Sequence, residues 1–326
     1  MKRAFLAMLL VLGVSSSAAA QFETASIVGT VRDDTGAVVD GAAVTITNIE
    51  TGVSSTRNTD GSGNYEFFTV RLGTYVVTAE KAGFAVAVAD SVRVAVGARQ
   101  RVDLNLQVGA LTERIEVTGA VTQLETDTSQ RGQVITGEET RALPLNGREY
   151  SALSLLSPGV RQSSIGTGSV AQPREGSFNV NGLRSTFNNF LIDGVDNNAY
   201  GTSNQGFSNQ VMQPSPDAVA EFRVVTNNMS AEYGRSGGAT INVAYRGGTN
   251  RLQGSAWEFY RDTSLNATGF FKSPSGDKPP LERNQFGGVI GGALVRNKAF
   301  FFADYEGFRQ TRGLVANTTI ANTAQR

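Results

Sequence analysis

Few side chains in this chain could perform chemistry, because the sequence contains no histidine and no cysteine. A Ser-His-Asp triad, a thiol nucleophile, a structural zinc site and a disulfide are all excluded. Asp193 and Asp196 could pair as an acid and a base, or hold a cation. Because Asp-Gly and Asp-Asn-Asn sequences favour turns, we predict a turn here rather than a catalytic or metal site.

Two other motifs also favour a structural explanation. Residues 234–238 match G-x-S-x-G, but no histidine could activate Ser236, so a tight turn before a strand is predicted. Residues 60–64 resemble the start of a calcium loop but lack the closing glutamate of an EF-hand, so a hairpin turn is predicted. We therefore expect no catalytic residue, no cofactor and no metal ion, and the protein is predicted not to be an enzyme.

The composition indicates a β-rich globular protein. Glycine accounts for 37 of 326 residues and proline for only 8, which indicates many turns and close backbone contacts. The charge is balanced, with 29 Lys and Arg against 29 Asp and Glu. Nucleic acid is therefore not an expected partner, because no basic surface is indicated.

The N-terminus has the pattern of a signal peptide. Lys2 and Arg3 precede an apolar run at residues 4–14, and three alanines end at Ala20. We predict export with cleavage between Ala20 and Gln21. A membrane anchor is the alternative, but an 11-residue helix rises about 16 Å, half of a ~30 Å hydrocarbon core.

Residues 21–108 are predicted to form the first domain. Short segments in this range alternate apolar and polar residues and are separated by Gly and Asp turns, which predicts an antiparallel β-sandwich of about seven strands. The sequences GTYVV at 73–77 and KAGF at 81–84 resemble the carboxypeptidase regulatory-like domain. The resemblance implies a transthyretin-like sandwich, classed with carbohydrate-binding-like folds, although sugar binding does not follow from the fold.

Residues 126–248 are predicted to form an α/β domain. Two short helices end near Pro144 and Pro158, strands follow, and two polar loops at 159–176 and 197–213 are long enough to be functional. Four motifs resemble the plug domain of TonB-dependent outer-membrane transporters of the Oar-like subgroup. They are LPLNGR at 143–148, VNGLRS at 180–185, LIDGV at 191–195 and AEYGRSGG at 231–238.

Residues 249–326 are predicted to begin an outer-membrane β-barrel. Segments 252–262, 285–295 and 298–309 have the length of tilted membrane strands, with a long loop and then a two-residue turn between them. A soluble sandwich remains the alternative. Three strands cannot close a barrel, and an open edge in lipid costs several kcal/mol per unpaired group. We therefore expect this chain to be the N-terminal part of a longer protein, and not to transport alone.

The connector at residues 109–125 contains Ile115 and Val117 in a short alternating pattern. Taken alone, it predicts a strand that completes the sandwich. The family resemblance instead implies a TonB box, which an inner-membrane energy-coupling protein captures by β-augmentation in order to pull on the plug. The predicted box residues are Glu113, Arg114, Ile115, Glu116, Val117 and Thr118.

The resemblance implies active uptake of an unidentified substrate across the outer membrane of a Gram-negative-type bacterium. The expected partners are a TonB-type energy-coupling protein, outer-membrane lipid and a substrate, with carbohydrate and peptide as candidate classes. The alternative is a secreted or periplasmic β-sandwich protein that binds carbohydrate or mediates adhesion.

Overall fold

The computed structural model describes residues 25–109, 114–116, 127–163, 178–199, 210–234, 237–267 and 278–313. These residues are mainly β, as the sequence predicts, and form a sandwich, an α/β domain and a three-stranded sheet in chain order. The predicted cleavage point between Ala20 and Gln21 lies outside the described residues. Within the described ranges, no helix combines the length and the apolar character that crossing a bilayer requires.

The first domain is a sandwich of two sheets around one apolar core. One sheet has the order β4-β1-β7, with β8 also paired to β1, and the other has the order β3-β2-β5-β6-β9. The strands are β1 (Ala25–Asp33), β2 (Ala43–Asn48), β3 (Ser54–Asn58), β4 (Asn64–Val70), β5 (Gly73–Glu80), β6 (Val86–Val94), β7 (Arg99–Arg101), β8 (Leu104–Leu106) and β9 (Arg114–Glu116). The fully buried core side chains include Ile27, Val31, Val44, Val77 and Leu106.

Three strands of the sandwich do not follow the antiparallel arrangement that the sequence predicts. β7 and β8 both pair with β1 in parallel, and β9 pairs with β6 in parallel. The reason for β7 and β8 is that β6 belongs to the opposite sheet, so the chain crosses between the sheets before β7 begins. A strand reached through such a crossover can lie parallel to its neighbour, whereas a tight hairpin reverses the chain direction.

The predicted turn at residues 60–64 is present, but it does not form a hairpin. The Asp60 carboxylate accepts hydrogen bonds from the backbone N–H groups of Ser62 and Asn64, both at 2.9 Å. Gly63 has φ 72°, a left-handed conformation that suits glycine. The flanking strands β3 and β4 lie in different sheets, so the turn links the two layers of the sandwich. The hairpin prediction is therefore wrong, although the turn itself is correct.

The second domain is an α/β unit built on a mixed sheet with the order β10-β15-β16-β13-β14. Both predicted helices are present, the first as an α-helix and the second as a 3-10 helix. Its elements are β10 (Arg131–Thr136), α1 (Gly137–Ala142), the 3-10 helix Tyr150–Leu156, β11 (Val160–Gln162), β12 (Phe178–Val180), the 3-10 helix Ser185–Phe187, β13 (Asn189–Ile192), β14 (Val195–Asp196), β15 (Val219–Asn227) and β16 (Thr240–Tyr245).

The interior strand β15, which lies between β10 and β16, is buried on both faces, and the two faces differ in character. Phe222 and Val224 face an apolar core, where the ring of Phe222 meets that of Tyr150 edge-on at 5.3 Å. Glu221 and Arg223 alternate with them along the strand and are also buried. A strand with period-two side chains therefore offers an apolar surface to the domain core and a polar surface to the sandwich.

The third unit is an antiparallel sheet of β17 (Gln253–Asp262), β18 (Leu281–Val295) and β19 (Ala299–Arg312). The three strands lie where the sequence predicts them, but β18 begins earlier and β19 ends later. A tight turn joins β18 to β19, and its Asn297 has φ 60°. The longer strands arise because polar residues such as Arg283 and Gln310 pair across the sheet at 2.8 Å, which extends the ladder beyond the apolar segments.

Candidate functional site

The two faces of the three-stranded sheet have different surroundings. Ile290, Leu294 and Tyr305 share one face and are 48%, 71% and 65% exposed. Gln285 and Glu306 lie on the other face and contact the α/β domain. A barrel wall shows this division when its outer surface meets lipid and its inner surface meets a plug. The face that carries Gln285 and Glu306 therefore marks where the α/β domain attaches to the wall.

Arg148 is the centre of this attachment. It ends the LPLNGR segment and has φ 57°, because the chain turns at Asn146 and Gly147 and then presents the arginine to the sheet. The guanidinium group donates to the carboxylate of Asp217 at 2.5 Å and to that of Glu306 at 3.0 Å. Asp217 belongs to the α/β domain and Glu306 to β19, so one side chain joins the two units.

Aromatic rings on β17 cover the same guanidinium group. The Cζ atom of Arg148 lies 4.8 Å from the ring centroid of Trp257 and 4.5 Å from that of Phe259. A planar guanidinium can stack on such rings while its edge donates to carboxylates. Only 11% of the Arg148 side chain is exposed, so these interactions are largely shielded from solvent.

Polar contacts around Arg148 reach all three strands of the wall. The side-chain amide of Gln285 on β18 donates to the Gly147 carbonyl oxygen at 3.2 Å and to Glu306 at 2.9 Å. Arg261 on β17 donates to the Asn146 side chain at 3.1 Å. We call Asn146, Gly147 and Arg148, together with their wall contacts, the plug–wall latch. The sequence analysis identified these residues only as part of a family motif. It did not predict that they join the plug domain to the wall.

Asp193 lies at the turn between β13 and β14, and Asp196 lies in β14, directly after it. Asp193 and Gly194 have φ 46° and 77° and make the tight turn between β13 and β14, as the sequence predicts. The Asp193 carboxylate accepts from the Tyr245 backbone N–H at 3.0 Å, and Asp196 accepts from the Asn198 backbone N–H at 2.8 Å. Burial raises the pKa of Asp193, and the Tyr245 N–H opposes that shift. Both carboxylates therefore stabilise backbone turns.

The structure describes only part of the other segments that the sequence analysis singled out. Arg235 and Ser236 of the G-x-S-x-G match lie outside the described residues. The polar loops at 159–176 and 197–213 are described mainly at their bases, where the buried Tyr150 hydroxyl donates to the Gln210 side chain. Across the described part of the chain, no cluster of three or more carboxylates has a geometry that could hold a metal ion.

A second polar interface joins the α/β domain to the sandwich. Glu221 on β15 is 4% exposed and accepts a hydrogen bond from the Val96 backbone N–H, while Arg93 lies 3.5 Å away. Arg223 donates to the Gly97 carbonyl oxygen at 3.4 Å. Burial raises the pKa of Glu221, and the Val96 N–H and Arg93 oppose that shift. The loop after β6 thus attaches the sandwich to the α/β sheet.

Glu221→Gln is expected to remove a pH dependence from the stability of the folded protein. Because the folded-state pKa of Glu221 is raised above its ordinary value of 4.5, ionisation destabilises the folded state. This cost is absent below 4.5, grows as the pH rises through the raised pKa and is complete above it. Glutamine keeps an oxygen for the Val96 N–H but cannot ionise, so the variant should lack this loss of stability.

Urea unfolding of the full-length protein across this pH range measures the effect. Glu232→Gln is the matched control, since Glu232 is an exposed carboxylate of the same domain. Parallel stability profiles for the wild-type protein and Glu221→Gln would contradict the prediction.

The predicted TonB box is described only in its central part. Arg114–Glu116 form β9, which pairs in parallel with Val86–Val88 of β6. Glu113, Val117 and Thr118 lie outside the described residues. In the described part of the chain β9 pairs with β6 alone, so it is the last strand of the five-stranded sheet. The segment is therefore an edge strand of the sandwich.

Three parts of the chain match known domain families. Residues 26–107 match the carboxypeptidase regulatory-like domain, residues 124–241 match the TonB-dependent receptor plug domain, and residues 244–326 match an outer membrane beta barrel domain. The matches follow one another in the order sandwich, plug and barrel, and the plug and barrel matches support a location in the outer membrane. The barrel interpretation of β17 to β19 is thus confirmed over a soluble sandwich, and the outer-membrane location is confirmed over a secreted or periplasmic one.

The chain is similar to TonB-dependent transporters, which are a class of transporters and receptors rather than of enzymes. It is 24% identical over 307 residues to the TonB-dependent transporter Oar of Myxococcus xanthus, a match that covers 90% of this chain. The chain spans 27% of the length of that curated relative.

Two solved structures match part of this chain. The siderophore receptor PirA from Acinetobacter baumannii is 22% identical with a TM-score of 0.39, and the match covers 54% of this chain and 24% of that one. The outer membrane transporter YddB from Escherichia coli is 16% identical with a TM-score of 0.39, and the match covers 56% of this chain and 30% of that one.

Proposed function

We propose that this protein mediates energy-coupled uptake of a substrate across the outer membrane, and that a TonB-type energy-coupling protein captures it at β9. The proposal extends to the full predicted box, Glu113 to Thr118, and to export by a signal peptide cleaved between Ala20 and Gln21. The observation that carries it is the position of β9, an edge strand on the connector between the sandwich and the plug domain.

An edge strand suits capture by a sheet-forming partner. β-Augmentation pairs the backbone N–H and C=O groups of a strand with little dependence on side chains, and an edge strand has one neighbour to leave rather than two. β9 has only three residues, so little pairing energy holds it in place. Because the connector continues into β10 of the plug domain, a pull on β9 would be transmitted along the chain to the plug.

The plug domain is attached in a way that is compatible with movement. Its contacts to the wall and to the sandwich are polar and charged at Arg148, Gln285 and Glu221. Polar interfaces between domains separate more readily than apolar ones, because water can replace the hydrogen bonds. A plug held by such contacts can be displaced without exposing an apolar core.

Neither the plug–wall latch nor β9 indicates which class of substrate the protein takes up. We propose that the loops at 159–176 and 197–213 contribute to specificity, with carbohydrate and peptide as the candidate classes. The apolar outer face of β17 to β19, with Ile290 and Leu294, is proposed to contact outer-membrane lipid.

Ile115→Pro is expected to abolish capture by the energy-coupling protein, with a loss of at least about tenfold in affinity. Proline removes a backbone donor from β9 and restricts φ, so the segment can no longer pair regularly with a partner strand. Pull-down of the full-length receptor by the periplasmic domain of the energy-coupling protein measures this loss.

Ile115→Val is the matched control, because valine is also β-branched and keeps the backbone donor. Equal capture of Ile115→Pro and Ile115→Val would overturn the assignment of this segment as the capture site.

A further inference from the structure

The connector between the sandwich and the plug domain contacts the sandwich at two separate places. The first contact is β9, whose Arg114, Ile115 and Glu116 are in register with Val86, Ala87 and Val88 of β6. The second is Asp127, the first described residue after the connector, at the start of the plug domain. The two contacts lie on different sheets, since β6 belongs to the five-stranded sheet and β7 to the sheet of β1.

Asp127 binds a pair of arginines on β7. Its carboxylate accepts from Arg101 Nε at 3.0 Å and lies 3.8 Å from Arg99 Nε. The Asp127 side chain is 17% exposed, whereas the two arginines are 43% and 44% exposed. Arg99 also pairs with Glu66 of β4 at 2.6 Å, so its guanidinium group is positioned by the sandwich itself. This ion-pair cluster holds the chain where the connector enters the plug domain.

We infer that the sandwich is an autoinhibitory clasp: it holds the connector at the β6 edge and at Asp127, and the energy-coupling partner must displace β6 to capture β9. The inference rests on the proposed function, because it assumes that β9 is the captured segment. It assigns the sandwich a regulatory role, in which release of the connector controls the affinity for the partner.

β6 and the energy-coupling partner compete for the backbone hydrogen-bonding groups of β9. The N–H and C=O groups of a strand alternate between its two sides, so pairing with β6 uses about half of those in β9. A three-residue strand held on β6 offers few groups on its outer side, whereas the released connector could offer a longer extended segment. The partner therefore gains more pairing by replacing β6 than by adding to the outer side of β9.

A disulfide between the two strands tests the clasp directly. Val86 and Arg114 are register partners, and paired strands lie about 4.8 Å apart, within the Cα separation that a disulfide spans. The natural chain has no cysteine, so Val86→Cys with Arg114→Cys forms one defined bond in the full-length receptor. Oxidation is expected to lower capture by the periplasmic domain of the energy-coupling protein at least tenfold, and a reductant should restore it.

Thr45→Cys with Thr56→Cys is the matched control. These residues join β2 to β3 in the same sheet, their hydroxyl oxygens are 2.8 Å apart, and neither lies on the connector. Oxidation of this pair should leave capture unchanged. Unchanged capture by the oxidised 86–114 pair, when Ile115→Pro abolishes capture, would overturn the clasp and leave the capture site standing. Full capture by both Ile115→Pro and the oxidised pair would instead overturn the proposed capture site.

Asp127→Asn tests the second contact. Loss of the carboxylate charge weakens the ion pairs with Arg99 and Arg101, so capture should increase about twofold to fivefold at low salt. The increase should disappear at high salt, where the ion pairs of the wild-type protein are already screened. Glu66→Gln is the control, because it removes an ion pair of Arg99 without touching the connector. Equal capture by the two variants would overturn a role for Asp127 in the clasp.

Discussion

Arg148→Met is expected to loosen the plug domain from the barrel wall while both remain folded. Methionine keeps an apolar stem against Trp257 and Phe259 but leaves the carboxylates of Asp217 and Glu306 without their shared cation. Removing one partner from a largely buried ion pair costs about 3 to 5 kcal/mol. The side chains of Asp217 and Glu306 are 15% and 20% exposed, which favours the lower end of that range.

The loss is measurable in the full-length receptor as a lower urea midpoint for proteolytic cleavage of the plug domain. A decrease of about 3 kcal/mol corresponds to a shift of 1 M or more in urea. Arg148→Lys should fall between the wild-type protein and Arg148→Met, because lysine keeps the charge but not the planar group that donates to both carboxylates.

Arg161→Met is the control for this prediction, since Arg161 is an exposed arginine on β11. Adding Glu306→Gln to Arg148→Met should recover part of the loss, because it removes one of the two uncompensated charges. If Arg148→Met and Arg161→Met had the same urea midpoint for cleavage of the plug domain, Arg148 would not hold the plug domain to the wall.

Gly29→Ala is expected to prevent the sandwich from folding correctly. A Cβ atom at Gly29 would lie 1.9 Å from the Val102 carbonyl oxygen and 2.8 Å from the Tyr65 ring. The Tyr65 hydroxyl donates to the same carbonyl oxygen at 2.5 Å, so neither neighbour can move without breaking that bond. A methyl group placed against buried backbone costs about 3 kcal/mol or more, a large part of the stability of a domain this size.

Limited proteolysis of the full-length receptor, followed with an antibody against the sandwich, measures this effect. Gly61→Ala is the matched control, because no heavy atom lies within 4 Å of a Cβ at that position and φ is not in the left-handed region. Similar protease resistance of the two variants would show that β1 can shift away from Val102 at little cost.

Local patterns in the sequence predicted the elements and several turns correctly. The wall strands were predictable because period-two alternation follows from strand geometry alone. The turn at Asp193 and Gly194 was predictable because both residue types tolerate positive φ, and the structure has 46° and 77° there. The helices ended where Pro144 and Pro158 were expected to stop them.

The attachments between domains were not predictable from those patterns. Arg148 and Glu306 are 158 residues apart in sequence, and Val96 and Glu221 are 125 apart. Nothing in the neighbourhood of Arg148 distinguishes an arginine that stacks on two rings from one exposed to solvent. The nearest available signal was the run of polar residues on the inner face of β18 and β19, since buried polar groups require partners.

By itself, the amino-acid sequence determined the order of the domains, the positions of most strands and the exclusion of histidine and cysteine chemistry, because these depend on residue type and on neighbours along the chain. Only the tertiary structure decided that β7 and β8 run parallel to β1, that Arg148 joins the plug to the wall, and that β6 and β7 hold the connector. The physical reason is that strand partners and ion pairs depend on which distant segments meet in space. Local backbone preferences do not specify those tertiary contacts.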